Sequence, residues 1–208
     1  MMMQKQMDVF MEELASKAAV PGGGGASALG GAMGASLGSM VVNLTLGKKK
    51  YASVQEELEG LMGRILELKK ELEQLVEEDA VVFEPLSKAY GLPSQTEEEK
   101  AYKDKVMEEN LLAASLVPLR MMEKAVEMIE IHRILGQKGS RLAISDVGVG
   151  VQFCRCALLG AVMNVYINTK SMKNRDVAEE LNAKADALIE KGTKEADEIY
   201  ASVLAGLR

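Results

Sequence analysis

Nine positions in the middle of the chain step alternately by three and four residues: Leu58, Leu61, Ile65, Leu68, Leu72, Leu75, Asp79, Val82 and Leu86. That spacing belongs to a helix packed along one seam against its neighbours. Every member is aliphatic except Asp79. A charged carboxylate at a core position is disfavoured unless it is paired, hydrogen-bonded or used in chemistry. Burial also raises a carboxyl's pKa, which lets it give and take a proton near neutrality. Asp79 is the candidate for acid–base work. A buried polar contact that fixes helix register, or a seam that has frayed open by this point, is the alternative.

A second group lies after Ser145-Asp146. Every fourth residue there is small or amide-bearing: Gly148, Gln152, Cys156, Gly160, Asn164 and Asn168. Asn164 and Asn168, one turn apart, could both hydrogen-bond a planar heterocycle or each other. Asp146, just after the cap, also suits the positive end of a helix dipole. The third group is Pro21-Gly22-Gly23-Gly24-Gly25, a loop that leads into a helix and offers backbone N–H groups to an anion. It lacks the Gly-Lys-Ser/Thr ending of a phosphate loop. From Ala26 to Gly47 no side chain ionises, and Lys48, Lys49 and Lys50 follow at once. These lysines read either as an anion site or as a solvated helix end.

These residues need rigid elements, and the pattern is helical throughout. Expected helices run over 3–19, 26–46, 53–90, from Thr96 towards Leu135 with a kink at Pro118, over 146–168, and over 175–207. Thr96 caps the glutamate-rich start of the fourth, and Ser145 is the expected cap of the fifth. Gly136 to Ser140 reads as a loop. Gly30, Gly34 and Gly38 form a bare strip on which another helix can close, within the chain or across a dimer. The fold class is all-α: one domain over 1–208, a bundle of long antiparallel helices.

A net charge of −6 argues against a general nucleic-acid binder, and with no tryptophan there is little to stack on bases. Cys154 and Cys156, two apart on a helix, point in different directions and suit neither a bridge nor a metal site. Reduced thiols fit a cytoplasmic protein. The start, Met1 to Lys17, is too polar for a secretory signal. The uncharged stretch approaches membrane-spanning length, but it is rich in Gly, Ala and Ser, and no second span is long enough and free of charge. A helix buried among others, with no membrane partner, is the expectation. His132, beside Arg133, reads as incidental on a mixed surface, and no metal-ligand cluster appears.

Three segments in this order resemble the formiminotetrahydrofolate cyclodeaminase and methenyltetrahydrofolate cyclohydrolase family. They are Pro21 through Ala28 on to Asn43-Leu-Thr-Leu-Gly-Lys-Lys-Lys-Tyr51, then Glu78-Asp79-Ala80-Val-Val-Phe83, then Ser145-Asp146 through Asn164-Val-Tyr-Ile-Asn168. Ala113 to Pro118 also looks like the family's helix ahead of its kink. Gly25 stands where the family often has a serine, a contact for which Ser27 could substitute. The resemblance implies a homodimer acting on reduced folate with no permanently bound cofactor, the substrate being a tetrahydrofolate derivative that is polyglutamylated. It implies Asp79 as the proton carrier. Asn164, Asn168 and Asp146 would hold the pterin and one-carbon unit. Lys48, Lys49 and Lys50, with the amides of Gly22, Gly23 and Gly24, would hold the glutamate tail. Cyclodeamination of 5-formiminotetrahydrofolate leads, with the cyclohydrolase reaction as the alternative. A non-catalytic helical interaction protein is the distant rival.

Overall fold

The aliphatic seam lies on one unbroken helix, α3 (Gln55–Tyr90), with Leu58, Ile65, Leu68, Leu72, Leu75 and Leu86 buried and Asp79 half-buried among them. A computed structural model describes residues 2–4 and 6–208. The other helices are α1 (Met7–Leu14), α2 (Gly23–Asn43), α4 (Glu97–Lys138), α5 (Ile144–Ser171) and α6 (Arg175–Ala205). Short 3-10 turns cover Met2–Gln4, Lys49–Val54 and Arg141–Ala143, and no strand occurs among the described residues.

The core is a bundle of long helices. α5 is its centre, packing on α2, α4 and α6, while α3 packs on α2 and α4. α2 runs antiparallel to α5. Its Gly23 faces Asn164, Ser27 faces Gly160, Gly31 faces Ala157, and Gly34 faces Cys154 and Gly150. A Cβ at Gly34 would lie within 3.0 Å of the Cys154 sulfur, so the two helices approach at glycine distance. The bare strip therefore closes on helices of the same chain, Gly30 and Gly34 against α5 and Gly38 against Met128 and His132 of α4.

Several boundaries differ from expectation. The first helix is shorter, Met7–Leu14, and Lys5, inside the expected span, lies outside the described residues. Gly23, Gly24 and Gly25 are the first turn of α2 rather than a loop, because packing on α3 and α5 outweighs their low helix propensity. α4 continues through Gly136 to Lys138, and α5 starts before Ser145, with Ala143 at the cap position. Thr96 does cap α4, in a reciprocal capping box with Glu99.

Two helices, Gly23–Asn43 and the stretch Arg141–Ser171, are long and apolar enough to cross a membrane, where the sequence suggested one. Half of each apolar window is buried inside the bundle. His132 is fully buried, not at a surface. Its Nδ1 donates to the carbonyl of Met128 at 2.8 Å, and Nε2 has no partner. The ring occupies space that glycines leave open: a Cβ on Gly150 would collide with Nε2. Burial pushes its pKa down to about 4, against the smaller opposing effect of the Met128 carbonyl.

Candidate active site

Asp79 projects from α3 into the first turn of α2. Its Oδ2 accepts the N–H of Gly25 at 2.9 Å. A Cβ on Gly24 would fall well inside 3.0 Å of the same carboxylate, so only glycine leaves room for it. The first N–H groups of a helix have no acceptor one turn earlier and carry the positive end of its dipole. Gly25 gives its N–H to Asp79, while Gly23 and Gly24 border a cleft. Burial raises the Asp79 pKa above the ordinary carboxylate value, and the Gly25 hydrogen bond partly opposes this. A carboxyl so placed can exchange a proton with a group in the cleft.

The cleft has a volume of about 130 Å³ and lies between the start of α2 and the middles of α3 and α4, closed by the end of α5. Gly22, Gly23, Gly24, Asp79, Asn164 and Asn168 line it together. Its apolar walls are Val82, Phe83, Ala114 and Ile167, with Ala19 and Val20 before the glycines. The two asparagines do not bond to each other. Asn168 donates to the Ala114 carbonyl at 2.9 Å, tying α5 to α4, and Asn164 donates to Gly160 at 3.2 Å. Ser27 is not among the residues that line the cleft; its hydroxyl donates to the Gly23 carbonyl at 2.7 Å and packs against Gly160.

The remaining candidates sit at the opposite end of the bundle. Asp146 and Asn164 are separated by eighteen residues of α5, about 27 Å along its axis. Lys48, Lys49 and Lys50 follow the far end of α2 and form a basic corner. There Lys48 Nζ donates to Ser140 Oγ at 3.3 Å, and the Ser140 N–H donates to the buried Thr45 hydroxyl at 2.8 Å. The Arg141 N–H donates to the Tyr51 hydroxyl at 3.0 Å and, as the largest influence, lowers the phenol's pKa. The strip from Gly148 to Asn168 is not one face either. A step of four residues advances about 40° on a helix, so the strip winds around α5. Gly148 meets Val203 of α6, whereas Gly160 meets Ser27 of α2.

Sequence reasoning did not assign the cleft's apolar walls: Val82 reads only as a seam member and Phe83 only as part of the segment around Asp79, while Ile167 carries no sign of its position beyond being apolar. It also missed a larger apolar groove of about 490 Å³ between α5 and α6, lined by Val149, Phe153, Cys156, Tyr200 and Leu204. Among the described residues no group of three His, Cys, Asp or Glu side chains is placed to hold a metal ion.

An all-helical protein with a half-buried acid held at a glycine-rich helix start is the class these features define. Comparison with known proteins gives the family. The sequence model described as formiminotransferase-cyclodeaminase matches residues 6–187. A methenyltetrahydrofolate cyclohydrolase of Methylorubrum extorquens is 39% identical over 95% of both chains. The formimidoyltransferase-cyclodeaminase of Rattus norvegicus is 28% identical over 97% of this chain, which spans 37% of that larger protein. A crystal structure of formiminotetrahydrofolate cyclodeaminase from Thermotoga maritima shares the fold, with a TM-score of 0.81 over 98% of this chain and 96% of that one, at 24% identity. The chain belongs to the formiminotransferase-cyclodeaminase family.

Proposed function

We propose that this enzyme opens and closes the one-carbon bridge between N5 and N10 of tetrahydrofolate, with Asp79 moving the proton. In the hydrolase direction, water adds to the methenyl carbon of 5,10-methenyltetrahydrofolate and Asp79 takes one of its protons. The tetrahedral carbon then breaks its bond to N5, which receives that proton, and 10-formyltetrahydrofolate forms as the added hydroxyl loses its own proton to solvent. In the deaminase direction, N10 attacks the formimino carbon on N5. The formimino nitrogen enters protonated, so that Asp79, by carrying the N10 proton to the amino group of the tetrahedral carbon, lets it leave as ammonia and leaves behind the cationic methenyl ring. One carboxyl close to a single carbon serves both reactions.

What carries this reading is Asp79 in the cleft, held by Gly25 and raised in pKa by burial, beside two asparagine amides. The sequence leans towards the deaminase. The 39% identity over 95% of both chains, against 28% for the larger rat relative, favours the hydrolase as the principal activity. We further propose a homodimer, a polyglutamylated substrate and a cytoplasmic location without nucleic-acid or membrane partners. The net charge of −6 and the half-burial of both long apolar helices support the last point.

The test gives pure protein each folate in turn and follows methenyl absorbance and ammonia together. Loss of methenyl absorbance without ammonia supports the hydrolase, and ammonia released as the ring closes supports the deaminase. Inactivity on both would sink the reading. Asp79→Asn must then lower the observed turnover by about 10²-fold or more, the usual scale for lost proton transfer.

A further inference from the structure

Asn168 is only 7% exposed, yet just one end of its amide has a partner. Its Nδ2 donates to the Ala114 carbonyl at 2.9 Å. A carbonyl oxygen only accepts, so this bond fixes which way the amide points. The nitrogen faces α4, and Oδ1 faces away from it. No described residue donates to Oδ1. Nor is this oxygen sealed in the core, as His132 Nε2 is. Its lone pairs open on the cleft that Asn168 lines together with Asp79.

The reason Ala114 can hold Asn168 lies one turn further along α4. Within a helix a carbonyl accepts the N–H four residues on. For Ala114 that residue is Pro118, buried inside α4, which has no N–H to give. Its ring also crowds the carbonyl four residues back and opens the helix there. The proline therefore leaves a buried acceptor without its usual donor, and the Asn168 amide of α5 supplies one. Pro118, Ala114 and Asn168 form a chain that ends in an oriented oxygen.

We propose that this oxygen and the Asp79 carboxylate form a subsite for the small hydride that enters or leaves the one-carbon unit, water or ammonia. Asn168 is then a second catalytic residue, and Pro118 is the residue that positions it. The identity of the hydride rests on the folate reading above, whereas the pair of acceptors stands on the geometry. A nucleophile attacks through a lone pair and is oriented by its hydrogens. A water that gives one hydrogen to Asp79 and the other to Asn168 keeps a lone pair for the methenyl carbon. In the hydrolase direction the C–O bond forms as Asp79 takes the first proton. The hydroxyl keeps the second, hydrogen-bonded to Asn168 Oδ1, until the bond from carbon to N5 breaks. In the deaminase direction the amino group on the tetrahedral carbon donates to the same oxygen. Asp79 delivers the N10 proton to that group, and it departs as ammonia.

Size and charge agree with such an occupant. The cleft's volume of about 130 Å³ exceeds a water's share of the liquid, about 30 Å³, several times over. It falls short of the roughly 300 Å³ at which sites for drug-sized ligands begin. That suits a reacting carbon with its nucleophile, the bulk of the folate remaining outside. An amide supplies the second acceptor without a second negative charge, which beside Asp79 would hinder ionisation of both groups. Asn164, half-buried and bonded only within its own helix, is held less firmly and is left to the folate itself.

A crystal structure of the wild type without folate, at a resolution that shows ordered water, tests the subsite itself. One water must lie within hydrogen-bond distance of both Asn168 Oδ1 and the Asp79 carboxylate. No such water, or an Oδ1 turned away from the cleft, overturns the proposal. Kinetics test the two roles. Asn168→Ala should lower kcat by about tenfold or more, with KM for the folate within about twofold of wild type. Pro118→Ala returns an N–H to α4 and so should keep the fold. Its kcat should still fall by about fivefold, as the Ala114 carbonyl turns back into its own helix. In the Asn168→Ala background the same proline substitution should change kcat no further. Wild-type kcat in Pro118→Ala, losses carried by KM alone, or additive losses in the double variant overturn the proposal. Should Asn168→Ala fail to fold, Pro118→Ala and the bound water decide. A wild type inactive on both folates refutes the substrate reading instead, and the position of the water then decides the subsite by itself.

Discussion

Gly24 and Asp79 exclude each other's alternatives: the carboxylate fills the space in which any side chain at position 24 would have to sit. The helix start and the acid are thus one unit, with Gly25 donating the hydrogen bond and Gly24 leaving the room. Gly24→Ala should drive the carboxylate from its place while costing the fold little, since a short side chain can swing away. Turnover should fall by about 10²-fold or more, with the thermal midpoint down by only a few degrees. Equal loss of turnover in a distant, equally destabilised variant would deny this link.

Asp79→Asn should separate activity from stability. The folded-state pKa of Asp79 is raised, so the native protein holds a proton over a pH range where the unfolded chain has released it. Its contribution to stability is full below the ordinary value of 3.8 and falls as pH rises through the folded pKa. Above that value the wild type therefore bears the cost of burying an ionisable carboxyl. The asparagine, which can still accept from Gly25, removes that cost. Thermal scans should find the variant more stable than wild type at pH 7 and the difference shrinking near pH 4. A variant less stable at pH 7 contradicts the burial argument.

His132 predicts the opposite slope. Its pKa falls to about 4 in the fold, against 6.5 when free. Stability from the neutral ring is complete above pH 6.5 and is lost as pH falls towards 4. The loss amounts to about 1.4 kcal/mol per pH unit at most. Denaturant titrations at pH 7, 6 and 5 on wild type and His132→Gln should show this slope in the wild type and flatten it in the variant. Parallel curves would mean that the ring charges without penalty.

The two asparagines should behave differently although they share the cleft. Asn168→Ala leaves the Ala114 carbonyl without its donor and loosens α5 from α4, at a cost of about 1–3 kcal/mol. Asn164 bonds only back to its own helix, at Gly160. Asn164→Ala should leave the thermal midpoint almost unchanged and act mainly on KM for folate. Identical thermal shifts in the two variants would remove the distinction.

Thr96→Ala offers a control far from the chemistry. It breaks the reciprocal cap with Glu99 and should lower stability by about 1 kcal/mol with turnover unchanged when measured well below the melting range.

Asp79 was legible in the sequence because the seam supplied eight aliphatic neighbours in register, so one acid could be recognised against a pattern. Asn164 and Asn168 were legible by their one-turn spacing, and the structure brings both to the Asp79 cleft. Spacing did not show which end of a helix meets which. Lys48 and Gly23 are close in sequence, yet a 21-residue helix stands between them and holds them apart like a rod. His132 was illegible for another reason. Its burial is set by Gly38 and Gly150, which come from two other helices and leave no local mark near position 132. The glycine run read as a loop because intrinsic propensity opposes a helix there, and tertiary packing overrides it.

The composition of α2 has a consequence for how this enzyme assembles. Gly23–Asn43 is mostly Gly, Ala and Ser, with little propensity of its own and few long side chains to nucleate it. It persists because α3, α4 and α5 pack against it. The hydrogen-bonded amide protons beyond its first turn should therefore exchange only when the whole bundle opens, at the slowest rates in the molecule. The pocket that holds Asp79 would then have no half-formed precursor: it comes into being in the same cooperative step that folds the chain, and vanishes with it.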